Sequence, residues 1–197
     1  MERSFVDSVI EACVDALVSV GFRKRGKSNV FNPMTASFTG WVGLNEGNHE
    51  GYLRINPNVG IHCVPLERFW RGFEGLKYSP TTATIALPLG TFCADEDEFL
   101  FSLSENIEPE AKRLAQLYKN YAIPFYETHA SYEALLPMLL EKVDMLGAYP
   151  ERVAGTYYLQ GRYEEARSFT ESMLKKEKEY FSGFGLPFLK KLEQEGH

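Results

Sequence analysis

Two runs of like charge are the first candidates for chemistry. Arg23, Lys24, Arg25 and Lys27 place four cations within five positions, and Asp95, Glu96, Asp97 and Glu98 place four carboxylates in succession. The basic run would grip phosphates if aromatic residues were interleaved with it and a second basic patch converged on it. Neither condition is visible nearby in the sequence. The expected role is therefore a solvated turn whose long side chains stay in water. The acidic run lacks the alternating ligands and the glycine of a calcium loop. Locally it suits a helix start, where carboxylates meet the positive end of the dipole. Its expected active role is electrostatic, steering the chain toward a basic partner. Asp95, Glu96, Asp97 and Glu98, with Phe99 beside them, are the residues expected to touch that partner.

Catalytic and metal chemistry have little to stand on. The histidines are His49, His62, His129 and His197. His62 and Cys63 are neighbours in a stretch with strand character, so they point to opposite faces and do not share a metal. No HExxH, CxxC or HxE spacing occurs, no GxSxG elbow, and the glycine-containing piece GWVGLNEG matches neither a dinucleotide nor a P-loop fingerprint. Cys13, Cys63 and Cys93 are odd in number and far apart, as buried thiols of a reducing compartment are. A chain without catalytic residues, cofactor or metal is expected. The alternative is an enzyme or small-ligand protein whose cleft would involve Arg54, His62 and Glu67.

Totals narrow the field. The 197 residues are 44% hydrophobic and 14% aromatic, enough for a packed core. Net charge is -6, which opposes non-specific nucleic-acid binding. No apolar run reaches the roughly 18 residues of a membrane span. Acids spaced through MERSFVDSVIEACVDALVSV argue against a signal peptide. The cytoplasm is the expected compartment, with neither nucleic acid nor membrane as partner.

These residues need elements to position them. Phe5, Val6, Val9, Ile10, Cys13, Leu17 and Val20 recur at helical spacing over residues 3–20, and Gly21 stands where a helix-ending glycine belongs. Strands are expected at 29–32, 36–44, 52–64 and 81–89, with Pro57 marking a bulge or an edge in the third. A short helix is expected at 65–73, carrying Leu66, Phe69, Trp70 and Phe73. Such short connections imply an α+β fold, an antiparallel sheet with helices on one face. From about residue 96 helix formers dominate, with helices expected at 108–121 and 131–146, the latter kinked or split by Pro137. Gly183 and Gly185 are expected to break the chain before a last helix at 186–194. The domains expected are residues 1–100, α+β, and residues 101–197, a helical extension packed on them.

Tyr149 to Glu177 resembles one tetratricopeptide-type helical hairpin. Gly161 to Ala166 (GRYEEA) matches its turn and second-helix start, while Ala154 takes the small position and Tyr157 the aromatic one. Thr170 and Met173 depart from the pattern. One copy does not make a stacked array, which needs about three.

The opening helix followed by GFRKRGKSNVF is similar to the bacterial domain of unknown function 4304. Gly21, Phe22, Arg23, Lys24, Gly26 and Phe31 carry the resemblance, which covers the first half of the chain. That family is associated with polymorphic-toxin neighbourhoods and suspected immunity proteins. The resemblance implies a binding module that neutralises a cognate toxin by covering it, and it brings no catalytic residues.

Overall fold

The structure is a computed structural model that describes residues 2–94, 98–145 and 149–197. The chain divides into two compact units: residues 1–62 with 81–130, and residues 63–80 with 131–197. The division is not at residue 100. The short helix after the third strand belongs with the C-terminal helices, and the helices up to residue 130 belong with the sheet.

In the first unit α1 (Arg3–Ser19) buries Val6, Val9, Cys13, Val14 and Leu17. Gly21 then takes φ 111°, a conformation that a side chain resists. It turns Phe22 into the core, where its ring meets Tyr118 and Tyr126 edge-on. The basic stretch is not the loop the sequence suggests. Its first three residues form β1 (Arg23–Arg25), hairpin-paired to β2 (Asn29–Pro33). β3 (Phe38–Asn48), β4 (Tyr52–Cys63), β5 (Ile85–Pro88) and β6 (Phe99–Ser102) complete a six-stranded antiparallel sheet. The order is β1-β2-β3-β4-β5, with β6 also on β4.

β4 pairs β6 up to Ile55↔Phe99 and β5 from Asn58↔Pro88 onward. Pro57 sits in the gap where the partner changes, a place that asks for no ladder donor. Residues 99–102, assigned from composition to the helical half, are a strand because Phe99 and Phe101 alternate with Leu100 and Ser102 across the sheet. α3 (Glu108–Leu117), a π-helical turn (Tyr118–Ala122) and α4 (Ile123–His129) run on as one helical stretch past the expected end at 121.

The second unit contains α2 (Val64–Phe73), α5 (Tyr132–Lys142), α6 (Pro150–Leu159), α7 (Tyr163–Lys176) and α8 (Lys178–Gln194). Ser131 caps α5 by accepting from the Ala134 N–H at 3.1 Å, and α5 continues through Pro137. α8 begins eight residues earlier than the glycines suggest. Phe181, Phe184, Phe188 and Leu192 form its buried stripe, and that burial outweighs the poor helix propensity of Gly183, Gly185 and Pro187. Gly185 lets α8 approach α7 closely, since a Cβ there would stand 3.0 Å from the Leu174 side chain. Ala154, Ala166 and Met173 join these residues and Trp70 in one core, with Tyr157, Tyr158 and Tyr163 packed against it. The stretch from Tyr149 to Glu177 forms α6 and α7, joined at Gly161. Thr170 sits buried where an aromatic is usual, its hydroxyl donating to the Ala166 carbonyl at 2.7 Å.

Candidate interaction surface

The strands of the first unit have two different faces. Val42, Leu53, Ile55, Val59, Ile61, Phe99 and Phe101 are buried on the side of α3 and α4. The opposite face carries Arg23, Phe31 and Trp41 in one row, because Arg23 pairs with Phe31 and Phe31 with Trp41. Tyr52, Arg54, Asn56 and Asn58 lie on the same face of β4, and Leu100 is opposite Arg54 on β6. Phe31, Trp41, Tyr52, Arg54 and Asn58 are all half-exposed.

Trp41 is held on both sides of the sheet. Its indole N–H donates to the Thr81 carbonyl at 2.8 Å. The ring lies across Gly43 and Gly60: a Cβ on Gly43 would collide with its far edge, and one on Gly60 would stand 3.1 Å from it. From beneath, the Tyr126 hydroxyl donates to the Trp41 carbonyl at 2.8 Å, and its ring fills the space over Gly40 that a Cβ would take. Tyr118 bridges the next strand by donating to the carbonyls of Gly43 and Asn58 at 3.0 and 2.8 Å. Burial drives both phenols well above their ordinary pKa, so they stay protonated donors.

The basic run contributes to this face in part. Arg25 lays its guanidinium 4.3 Å over the Phe31 ring. Lys24 points the other way and pairs with Asp15 of α1 at 3.7 Å. Aromatic residues thus do stand among the cations, on adjacent strands where a linear reading does not place them.

Of the residues expected to touch a partner, Asp95, Glu96 and Asp97 lie outside the described residues. Glu98 is exposed and reaches Arg54 at 4.0 Å, which puts it at the border of the sheet face. Phe99 does not take a contact role: it is fully buried, with the Arg113 guanidinium 4.2 Å over its ring. Its neighbour Leu100, 41% exposed, occupies the outward position instead. Strand alternation through FLFS was the signal for this exchange.

The alternative cleft residues are engaged separately. Arg54 and His62 share a face but stand eight residues apart on β4, roughly 26 Å at strand rise. The His62 Nδ1 is 2.7 Å from the Thr82 carbonyl. Glu67 is buried in the second unit, where Arg152 Nε, Trp70 Nε1 and Arg71 Nε donate to its carboxylate at 2.8, 3.2 and 3.3 Å. Cys13 and Cys63 have their thiols pushed up by burial, to about 12 and about 11, and are poor nucleophiles. Among the described residues no cluster of three or more His, Cys, Asp or Glu side chains could hold a metal ion, and no helix is long and apolar enough to cross a membrane.

A groove of about 930 Å³ lies between α1 and the β1–β2 hairpin. Arg3, Lys24 and Lys27 line it together with Asp7, Glu11 and Glu46, so its charges offset and it favours neither sign of ligand. No protein-family model, curated protein or solved structure matches this chain.

Proposed function

We propose that the chain is a non-catalytic protein-binding module of the bacterial immunity type, which neutralises a cognate toxin by covering it, and that the open sheet face of the first unit makes the contact. The observation that carries this reading is the fixed Trp41 ring, set in a row with Phe31 and Arg23, with the Arg25 guanidinium over Phe31 beside it; Arg54 and Tyr52 lie on the same face toward the other end of β4. Tryptophan, tyrosine and arginine are the residues that concentrate binding energy at protein interfaces. A ring fixed by its indole N–H, on a strand whose carbonyl is held from beneath, loses little freedom on binding, which raises affinity. Glu98 and Leu100 extend the face with one acid and one apolar contact. The resemblance of GFRKRGKSNVF to domain 4304 supports the same class of role.

The test is co-expression with the product of the adjacent open reading frame. Cells are expected to survive that product when this chain is present, and the two proteins to co-purify. Trp41→Ala and Arg54→Ala are each expected to weaken the complex at least tenfold while leaving far-UV circular dichroism unchanged. Survival without complex formation, or full affinity in both variants, defeats the reading.

A further inference from the structure

Among the described residues, Glu151 Oε2 is the only buried carboxylate oxygen without a hydrogen-bond partner. The residue is 2% exposed, in the first turn of α6. Burial pushes its carboxyl up to about 7, with the Glu74 charge adding to the rise, even though the helix start and Arg152 favour the ionised form. Glu67, Glu74, Glu151, Arg71 and Arg152 form a group with one more carboxylate than guanidiniums, and both guanidiniums pair with Glu67.

Two tyrosines stand at this spot with their rings largely open. Tyr149, just before α6, is 45% exposed and Tyr180 of α8 is 56% exposed. Tyr180 feels the charges of Glu151, Glu74 and Arg152. The Arg152 guanidinium already lies 4.3 Å over the Tyr149 ring, so the chain itself shows a cation stacked here.

We propose that Glu151, Glu74, Tyr149 and Tyr180 receive a lysine or arginine side chain of a protein partner, whose cationic head pairs with Glu151 and whose stem covers the tyrosine rings. A partner cation supplies the charge that the group lacks and desolvates against aromatic faces, where cation–π attraction is strongest. A side chain fits better than a bare small cation because its apolar stem uses the exposed ring surface. The Glu151 carboxylate is buried, so the partner's head group must displace the side chains above it to reach it. All these residues belong to the second unit, so the site stands or falls apart from the sheet face.

The experiment titrates the full chain, ¹³C-labelled at glutamate and tyrosine, with capped Gly-Lys-Gly, capped Gly-Arg-Gly, the same peptide centred on norleucine, and spermidine. The basic peptides are expected to give saturable shifts at Tyr149, Tyr180 and the Glu151 carboxyl. The norleucine peptide, and the Glu151→Gln variant with either basic peptide, are expected to bind at least tenfold more weakly, the variant keeping native amide positions elsewhere. Equal binding of the norleucine peptide overturns the proposal, as does unchanged binding to the variant. Tighter binding of spermidine than of both basic peptides also overturns it, by making the site one for free polycations.

Discussion

The hydroxyl of Tyr126 reaches through from the helical side of the sheet to the carbonyl of Trp41, at 2.8 Å, while the indole of Trp41 lies on the opposite side. A buried residue of α4 thus fixes the backbone beneath an exposed aromatic ring, and the core and the candidate surface are joined at one strand position.

Tyr126→Phe tests that joint. The ring still fills the space over Gly40, but the hydrogen bond to the Trp41 carbonyl is lost. The net loss of one such bond costs about 0.5–1.5 kcal/mol. Urea denaturation is expected to show that loss with an unchanged m-value. The Trp41 indole N–H resonance is expected to move as the strand relaxes, and a stability equal to that of the parent chain contradicts the account.

Gly43→Ala approaches the same ring from its own side. The added methyl meets the far edge of the indole, and the backbone of a central strand has little room to yield. Overpacking of this kind costs about 1–3 kcal/mol. Replacing the ring as well, in Gly43→Ala/Trp41→Leu, is expected to cost less than the two single changes added together, since the clash is removed with its partner. Additive denaturation energies would show that the methyl and the ring do not meet.

Much of this architecture is legible in the residues, and the part that is not has a common cause. The periodicity of α1, the φ-demanding Gly21 and the alternation in β3 and β4 are local signals, and each element stands where they point. Phe99 to Ser102 are too few for composition to distinguish strand from helix; pairing with Tyr52 to Ile55, over forty residues away, decides it. The same non-local pairing sets Phe31 beside Trp41 and brings the basic run among aromatic residues. Gly183 and Gly185 argue for a break that tertiary burial of Phe181, Phe184 and Phe188 overrides. Glu67 and Arg152, 85 positions apart, carry no sequence sign that they meet.

That buried pair yields a third prediction. Glu67 is wholly buried and satisfies Arg152, Arg71 and Trp70 together. Glu67→Ala leaves the Arg152 guanidinium buried without its carboxylate, at a cost of about 3–5 kcal/mol. Glu67→Met/Arg152→Met removes both charges and keeps volume, so it is expected to be milder than the single change. Thermal denaturation of the two variants checks the order, and a double variant worse than Glu67→Ala reverses it.

Glu151 gives a stability that depends on pH with a definite sign. Its carboxyl is raised from 4.5 to about 7 in the folded chain, first by burial. Between those values the unfolded chain has released the proton and the folded chain still holds it. Stability is therefore highest below pH 4.5 with respect to this group, falls as pH rises, and levels off above about 7. The shift corresponds to about 3 kcal/mol across the window. Glu151→Gln cannot ionise, so its denaturation midpoint is expected to exceed that of the parent at pH 8, with the gap closing toward pH 5. Other groups titrate in both proteins alike and cancel in the difference. A gap that is constant with pH would mean that Glu151 titrates alike in the folded and unfolded chains, and one that opens toward acid would mean that folding favours its ionised form; either outcome contradicts a carboxyl raised by burial.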